Sequence, residues 1–493
     1  MTLRQRATAG VFWVGLSAAT NSLFAMLIKY VLVRMLLPAQ FGMVAMAGLA
    51  IDLLQMFREM GFASALIYRQ GDVHKAADTM FITVMLIAVV LFSIAFLSAP
   101  LVAAFFRAPE LTAILRVLAL NILISAFGEV QFSLLAKNLA FRERLLPDLV
   151  PTVVYGVVAI GLALMNMGVW SLVIAKVVDS VLTSALAWVV VPWWRPKLRF
   201  DRQEARELLN YGRHIVGSSA LVYFITNLDN TFVGRVLGQE QLGFYGTAYT
   251  QANLPARQIS SVIGQVLFPA YSQIQNDIAF MRRAFFRTLR YVALLVTPLT
   301  VAMVVFARPF INMVYGVTWA PTILPLQILA VYGLLRALAV NMGSVFRAAG
   351  KPHWLTYIAV WRLAVMGIFL YPATRYYGIV GVSVLSSVVS VADFIISATL
   401  TSTVIHGKLV DYVRALWLSC VVSLLSGAAG LWSYQHMSGA HDFIALVMAG
   451  SVMMGIYAVS VLIIDTEARR FILSSLLDAD QARRRPGSSS DPA

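Results

Sequence analysis

Apolar residues occur in long runs from one end of the chain to the other, and short polar intervals separate these runs. A run of about 20 apolar residues is long enough to cross a bilayer as an α-helix. The pattern predicts an all-α polytopic membrane protein with about 14 transmembrane helices. The predicted helices span residues 8–35, 41–66, 78–103, 112–136, 148–165, 168–191, 212–236, 242–269, 286–307, 321–348, 353–373, 377–404, 412–435 and 441–464.

The longest polar interval in the interior, residues 192–211, divides the predicted helices into two groups of six. It is interpreted as a cytoplasmic linker between an N-terminal lobe, 1–191, and a C-terminal lobe, 212–404. Two additional helices would occupy residues 405–466. Residues 467–493 end in an arginine-rich stretch followed by proline, glycine and serine, so we expect a cytoplasmic, partly disordered tail.

A fourteen-residue pattern occurs twice in the chain, at positions 201 residues apart. The copies are Arg34-x-Leu36-x-x-x-Gln40-x-Gly42-x-x-x-x-Ala47 and Arg235-x-Leu237-x-x-x-Gln241-x-Gly243-x-x-x-x-Ala248. Each copy lies where one apolar segment ends and the next begins. The offset places the first predicted helix on the seventh, so the two six-helix lobes are predicted to be related by an internal repeat. Such halves commonly move against each other around a shared site in transporters.

Composition and charge place this chain in a membrane. Its 493 residues are 60% hydrophobic and 12% charged, a balance that ordinary soluble proteins do not have. With the N-terminus inside, the predicted cytoplasmic gaps contain most of the basic loop residues. The opposite gaps contain only Arg107, Arg235, Arg308 and Arg375. The positive-inside rule therefore predicts cytoplasmic N- and C-termini. No basic stretch is interleaved with aromatic residues, which disfavours nucleic-acid binding despite a net charge of +15.

Sequence motifs typical of common enzymes are absent. There is no phosphate-binding glycine loop with a lysine, no pair of histidines at metal-binding spacing and no clustered nucleophile and base. We therefore expect a protein that is not an enzyme, with no catalytic residues, no metal site and no organic cofactor. Cys420 is the only cysteine, so a disulfide within the chain is impossible.

Several segments together carry a resemblance to a known family. They are Leu3-Arg4-x-x-x-x-x-Gly10, Arg34 to Gly42 with its echo Asp229 to Gly238, the string Val266-Leu267-Phe268-Pro269-Ala270-Tyr271-Ser272-Gln273-Ile274-Gln275-Asn276-Asp277, Tyr315-Gly316-x-x-Trp319, Leu326 to Leu329 and Gly333 to Arg336. On these residues the chain resembles a Wzx-type flippase of lipid-linked oligosaccharides in the multidrug/oligosaccharidyl-lipid/polysaccharide exporter (MOP) superfamily, and it is most similar to the colanic-acid and exopolysaccharide branch. The resemblance implies a bacterial inner-membrane protein of two lobes, alternating access and cargo carried on polyprenyl pyrophosphate.

Ionised side chains at membrane depth are the candidate substrate-binding groups. Each costs about 2.5–3.5 kcal/mol on insertion scales, so it should face a wet cavity or a partner. Arg257, which follows Pro255, and Arg336 are the most central cations. Each guanidinium either grips a pyrophosphate or acidic sugar bidentately or pairs with an acid between helices. The resemblance, in which basic residues recur at these positions, favours binding. Lys29 and Arg362 are expected to assist.

A second candidate site would couple transport to a cation. Asp229 is flanked by Asn227 and Asn230 in the seventh predicted helix. Carboxylate and amide oxygens suit Na+, and a buried carboxylate can also carry H+. Asp393 in the twelfth predicted helix is the other candidate. Coupled export in related proteins makes antiport of Na+ or H+ plausible, and the alternative is that Asp229 pairs with a neighbouring arginine.

The remaining charges at membrane depth are interpreted as structural. Lys176 and Asp179 are three residues apart on one helix face and are expected to form an ion pair. Arg34 and its echo Arg235 are expected to cap helices or to snorkel at the external surface. Arg58, toward the inner end of the second helix, would snorkel or contact a cytoplasmic gate.

The residues and the resemblance together predict translocation of polyprenyl-pyrophosphate-linked oligosaccharide units, for exopolysaccharide, capsule or O-antigen export. The headgroup would enter a hydrated, cation-lined cavity between the lobes. A cation-coupled multidrug antiporter of the same superfamily is one alternative, and a membrane polysaccharide polymerase or ligase is another. The expected partners are the lipid-linked oligosaccharide, the bilayer, and a polysaccharide polymerase with its co-polymerase.

Overall fold

The computed structural model describes residues 3–59, 61–68, 73–197, 199–437 and 442–465. Within these ranges all regular secondary structure is helical, as the apolar runs predict. The elements are α1 (Leu3–Met35), α2 (Pro38–Glu59), α3 (Phe62–Tyr68), α4 (Val73–Phe106), α5 (Leu111–Lys137), α6 (Leu145–Leu164), α7 (Val169–Val190), α8 (Arg202–Leu237), α9 (Gln239–Gln273), α10 (Ile278–Val305), α11 (Ala307–Val314), a 3₁₀ helix (Val317–Thr322), α12 (Ile323–Ala348), α13 (His353–Ile405), α14 (Leu409–His436) and α15 (Asp442–Ile464).

Each of the fourteen predicted segments lies on one or two of these helices, with two differences in continuity. The second segment is divided into α2 and α3, and Gly61 between them has φ of 65°. That left-handed conformation favours glycine and ends a helix. The eleventh and twelfth segments follow each other without an intervening loop, because α13 consists of two helices that meet at a kink at Gly378, where φ is 60° and ψ is −150°. The all-helical fold class is therefore confirmed.

The chain is a multi-pass membrane protein. Among the described residues, ten helical stretches are long and apolar enough to cross a bilayer. The helices α1, α8 and α9, which hold three further predicted spans, fall outside that set, and α13 holds two predicted spans in one stretch. These three helices contain more polar residues than the others, including several of the candidate site residues. The count of 14 transmembrane helices stays a prediction.

The helices form two compact units, and the chain passes between them several times. Unit 1 contains Met1–Thr247, Val314–Pro321 and Trp361–Val382. Unit 2 contains Ala248–Met313, Thr322–Val360 and Ser383–Ala493. The long helices α9 and α13 each contribute residues to both units. The predicted lobe boundaries, which divide the chain at a single linker, stay a prediction.

The two copies of the repeat meet inside unit 1 in a reciprocal contact. A Cβ atom added to Gly42 in α2 would overlap the backbone carbonyl oxygen of Gln239, at the start of α9. A Cβ atom added to Gly243 in α9 would overlap the carbonyl oxygen of Pro38, at the start of α2. Pro38 and Gln239 are themselves 201 residues apart. Each glycine therefore packs against the residue four positions before the glycine of the other copy. Only a residue without a side chain permits so close an approach.

An aromatic cluster surrounds this glycine contact in unit 1. Trp319, from the 3₁₀ helix, is fully buried and meets three rings edge-on. Its centroid lies 5.5 Å from that of Phe41, 5.9 Å from that of Phe244 and 5.6 Å from that of Tyr315. Phe41 and Phe244 each adjoin one of the two repeat glycines in sequence. The Tyr315-Gly316-x-x-Trp319 motif therefore fixes the place where the repeat copies meet.

In unit 2, a buried hydrogen-bond chain connects three helices. The Tyr271 hydroxyl in α9 donates to the Oδ1 atom of Asn341 in α12 at 2.7 Å, and the Asn341 amide donates to the Phe285 carbonyl in α10 at 3.2 Å. All three residues are buried, so these bonds satisfy polar groups that would otherwise be costly. Tyr271, within the string at 266–277, therefore connects α9 to α12 by a buried hydrogen bond.

Residues 192–197 and 199–201 of the predicted linker are not helical, and α8 begins at Arg202. Asp201 caps α8 by accepting hydrogen bonds from the backbone of Gln203 and Glu204, and it forms an ion pair with Lys75 at 2.7 Å. Lys75 and the cap together lower the pKa of Asp201 to about 2. The carboxylate is therefore ionised at neutral pH, and its contribution to stability is lost only as the pH falls from about 4 toward 2.

Candidate functional site

Arg336 lies at the centre of a polar cluster in unit 2. Its Nη1 atom is 3.2 Å from the Tyr332 hydroxyl, 3.4 Å from the Tyr249 hydroxyl and 3.5 Å from Oδ1 of Asn253. The two hydroxyls are 3.3 Å apart, and their rings are tilted with centroids 5.8 Å apart. The guanidinium is therefore held at one end by three neutral oxygens.

Helix geometry explains why these residues converge. Tyr332 and Arg336 are four residues apart on α12, and Tyr249 and Asn253 are four apart on α9, so each pair shares a helix face. Gly333 lets the two helices approach closely, since an added Cβ would overlap the carbonyl oxygen of Ala252. The Asn253 amide also donates to the Tyr249 carbonyl at 2.9 Å, which directs its oxygen toward Arg336.

Arg336 makes none of its hydrogen bonds or ion pairs with a carboxylate among the residues that the structure describes. Hydroxyl and amide oxygens satisfy its donors but leave the positive charge in place. Arg336 is partly buried, while Tyr249 and Asn253 are buried. A cation at this depth without an opposing charge attracts an anion. The expectation of a structural pair between Arg336 and an acid has no support in this part of the chain.

Arg257 lies on α9, one turn beyond Asn253, so it projects from the same side of that helix. Its side chain is exposed and makes no hydrogen bond or ion pair with any described residue. Arg257 and Arg336, the two most central predicted cations, therefore belong to one unit and flank the same asparagine. Hydrogen bonds hold Arg336 in a fixed orientation, whereas the side chain of Arg257 is exposed.

The two assisting cations, Lys29 and Arg362, belong to unit 1. The Lys29 Nζ atom lies 6.0 Å from the ring centroid of Tyr315, at the edge of the aromatic cluster. Both side chains are half-buried. Their roles in substrate binding stay predictions.

Asp229 is buried in unit 1 and accepts hydrogen bonds from a side chain and from the backbone. Its Oδ2 atom is 2.7 Å from the Tyr245 hydroxyl, and its Oδ1 atom accepts from the backbone of Asn230 at 2.8 Å. The Asn227 amide donates instead to the Tyr223 carbonyl at 3.1 Å, which leaves its oxygen on the opposite side of the amide. Sequence reasoning missed Tyr245, because a tyrosine in an apolar helix is more often core packing.

Asp393, the other candidate acid, is buried on the unit 2 part of α13. Among the described residues, no three histidine, cysteine or acidic side chains are grouped so that they could hold a metal ion. The role of Asp229, Asn227 and Asp393 in coupling transport to a cation stays a prediction.

The structural interpretation of other charges has clear outcomes. Lys176 and Asp179 form the predicted ion pair at 2.7 Å. Arg34 donates to the Val314 carbonyl at 2.9 Å and Arg235 donates to the Phe105 carbonyl, so both repeat arginines cap the C-terminal end of another helix.

Arg58 has a partner that sequence reasoning did not identify. Its Nη1 atom lies 3.2 Å from Oε2 of Glu129 in α5, and both side chains are largely buried. Arg58 therefore does not snorkel but forms a buried inter-helix ion pair within unit 1, and its contact with a cytoplasmic gate stays a prediction.

Comparison with known proteins places the chain among polysaccharide biosynthesis proteins. The sequence model of a family described as "Polysaccharide biosynthesis protein" matches residues 31–324. The teichuronic acid biosynthesis protein TuaB of Bacillus subtilis is 27% identical over 375 residues, which cover 76% of this chain and 77% of TuaB. The succinoglycan biosynthesis transport protein ExoT of Rhizobium meliloti is 25% identical over 488 residues, which cover 97% of this chain and 96% of ExoT.

The fold is similar to that of a solved transporter. The lipid II flippase MurJ, in its inward closed conformation, superposes with a TM-score of 0.72 and 14% sequence identity, covering 92% of this chain and 98% of MurJ. At that identity the likeness concerns the fold. Family, relatives and fold therefore agree with the resemblance that the sequence motifs predict.

Proposed function

The chain belongs to the polysaccharide biosynthesis protein family, and we propose that it translocates polyprenyl-pyrophosphate-linked oligosaccharide units across the bacterial inner membrane. The description of its relative ExoT as a transport protein of succinoglycan biosynthesis supports a transport role. Both termini would be cytoplasmic, and a polysaccharide polymerase with its co-polymerase would receive the cargo outside. Alternating access would move the headgroup while the polyprenyl tail stays in lipid.

The observation that carries this proposal is the Arg336 cluster. Its guanidinium has donors held by neutral oxygens at 3.2–3.5 Å, and these long hydrogen bonds are easily exchanged for shorter ones to a phosphate. A planar guanidinium matches two phosphate oxygens at once. Tyr332 and Tyr249 keep it oriented when no cargo is present, so little conformational freedom is lost on binding.

Arg257 would add a second, mobile cation to the same clamp. It is exposed and extends from α9 one turn beyond Asn253. A pyrophosphate carries charge on two phosphoryl groups, so one fixed and one mobile arginine could bind it together. Lys29 and Arg362 are proposed to assist from unit 1 at another stage of transport.

We expect Arg336→Gln to abolish export of the repeat unit while the protein stays in the membrane. Glutamine is shorter than arginine, but it keeps a polar hydrogen-bonding group at the site and removes the positive charge. The matched control is Arg347→Gln, on the exposed C-terminal end of the same helix. The measurement is polysaccharide at the surface and lipid-linked intermediate in cells that carry each variant, with the amount of membrane protein determined in parallel.

Arg336→Lys separates charge from geometry, since lysine keeps the charge but not the planar fork, so export should fall only partly. Full export by Arg336→Gln would contradict the role of Arg336 in binding the cargo.

If cells without the protein instead accumulate cationic dyes and no lipid-linked intermediate, drug antiport becomes the function. Joining of repeat units by the purified protein would indicate a polymerase or ligase.

We also propose that Asp229 takes up the coupling ion, H+ or Na+, with Asn227 and Asp393 as further candidates. Burial and the hydrogen bond from the Tyr245 hydroxyl give this carboxylate a defined position within unit 1. Asp229→Asn should remove the dependence of transport on a pH or sodium gradient in proteoliposomes. Asp277→Asn, at the exposed N-terminus of α10, makes the same chemical change and should preserve that dependence. Unchanged coupling in Asp229→Asn would exclude the role.

A further inference from the structure

A cationic pocket lies in unit 1, whereas the Arg336 cluster belongs to unit 2. Its volume of about 520 Å³ falls within the range of about 300–1,000 Å³ that is usual for small-molecule sites. The ends of α4 and α8 and the middle of α13 form its walls. It is lined by Phe105, Arg107, Thr231, Phe232, Arg235, Val236, Tyr371 and Arg375.

The charge of this pocket is unusual for its predicted side of the membrane. Of the few arginines that the charge distribution assigns to the external side, Arg107, Arg235 and Arg375 line this one pocket. None of the described lining residues is acidic. Three arginines from helices far apart in sequence thus converge where the positive-inside rule predicts few cations.

The three arginines are held differently. Arg235 donates to the Phe105 carbonyl, and its guanidinium lies 5.2 Å from the centroid of the Phe105 ring. Arg107 and Arg375 are exposed and make no hydrogen bond or ion pair with the residues that the structure describes. The Arg235 guanidinium is therefore fixed against the wall of the pocket, whereas those of Arg107 and Arg375 can donate hydrogen bonds to a ligand.

Arg107 occupies a backbone position that favours glycine. Its φ is 56°, and the following residue closes the turn, since the Ala108 amide donates to the Ala103 carbonyl at 3.0 Å. This is the Schellman ending of a helix, in which the left-handed residue is usually glycine. A residue with a side chain is strained in that conformation. The chain keeps an arginine at this position and directs it into the pocket.

We propose that this pocket binds the phosphate group of a lipid headgroup. Arg107 and Arg375 supply charge-assisted hydrogen bonds to the phosphate oxygens, and Arg235 adds a fixed positive charge. The rings of Phe105, Phe232 and Tyr371 supply apolar surface for the group attached to that phosphate. The phosphate comes either from a polyprenyl pyrophosphate or from an anionic phospholipid, and the site does not depend on the role proposed for Arg336.

The test is binding to the purified full-length chain, measured by native mass spectrometry with two probes, farnesyl pyrophosphate and phosphatidylglycerol. The double variant Arg107→Gln, Arg375→Gln should bind at least one probe about tenfold or more weakly, the loss expected when charge-assisted bonds are removed. The matched control is Arg308→Gln, the fourth arginine of the predicted external gaps, which is exposed and does not line the pocket.

Repeating the titration in Arg336→Gln assigns the binding, because binding that survives in Arg336→Gln but is lost in the double variant Arg107→Gln, Arg375→Gln belongs to the unit 1 pocket. This background also distinguishes failure of this proposal from failure of the proposed function. Loss for farnesyl pyrophosphate alone identifies the polyprenyl source, and loss for phosphatidylglycerol alone identifies the bilayer lipid. Binding of both probes by the double variant as tightly as by Arg308→Gln would overturn the site.

Arg107→Gly provides a second variant that cannot fail through misfolding of the turn. Glycine relieves the left-handed strain, so the thermal stability of the purified protein should rise or stay unchanged. Binding of the same probe should nevertheless weaken. A stable Arg107→Gly protein with undiminished binding of both probes would also contradict the proposal.

Discussion

Alanine in place of Gly42 will prevent the chain from accumulating as a folded membrane protein. The new methyl group would overlap the carbonyl oxygen of Gln239, and backbone cannot move aside as a flexible side chain can. Gly42 and Gln239 lie in helices that start side by side, so relief requires separating α2 from α9. We expect a loss of at least about 4 kcal/mol, the range reached by the most damaging single substitutions.

Gly243→Ala should have the same effect, since its methyl group would overlap the carbonyl oxygen of Pro38. Gly246→Ala is the matched control, one turn further along α9, where no atom lies within 4 Å of the added carbon. The measurement is the yield of each variant in the membrane fraction and the melting temperature after extraction in detergent. If Gly42→Ala is as stable as Gly246→Ala, the two copies of the repeat do not meet as described.

The repeat illustrates what the sequence could establish. Its spacing of 201 residues predicted two related halves, and the glycines that define it do face each other's copies. Sequence periodicity could not indicate that the copies touch, because a shared glycine can also mark a turn or a helix end. The Tyr315-Gly316-x-x-Trp319 motif was recognised only as a family marker. Its packing against Phe41 and Phe244 gives it a physical reason.

The candidate site was predicted in part. Burial cost alone identified Arg336, because a cation in an apolar helix is conspicuous. Tyr249, Tyr332 and Asn253 were not identified, since tyrosine and asparagine are tolerated in membrane helices for many reasons. Their spacing of four residues relative to each other or to Arg336 was the available signal. Which helix faces which cannot be read from one sequence, so the contact between α9 and α12 required the structure.

The unit 1 pocket could not be predicted from the sequence either, because it also depends on which helices contact each other. The sequence identified Arg107, Arg235 and Arg375 as rare external cations, but only as a count that oriented the helices. They are separated by more than 100 residues from each other, and no local pattern connects them. Their convergence depends on the ends of α4 and α8 meeting the middle of α13.

Removing one partner of the Arg58 and Glu129 pair will destabilise unit 1 by about 3–5 kcal/mol, because it breaks a buried ion pair while the other charge stays buried. The variants Arg58→Met and Glu129→Met should both show this loss. The double variant should recover most of it, since two apolar side chains replace the pair without burying any charge. Thermal unfolding of the purified variants gives the comparison as a double-mutant cycle.

Lys75→Met is the control for this cycle, because Lys75 and Asp201 form a shorter ion pair, 2.7 Å against 3.2 Å, at the surface. If distance decided the strength of an ion pair, Lys75→Met would be the more damaging change. Burial decides it instead, since water screens an exposed pair and solvates the remaining charge. We therefore expect a much smaller loss for Lys75→Met. Equal losses, or a double variant as unstable as the single variants, would mean that Arg58 and Glu129 stabilise the chain through contacts other than their mutual charge.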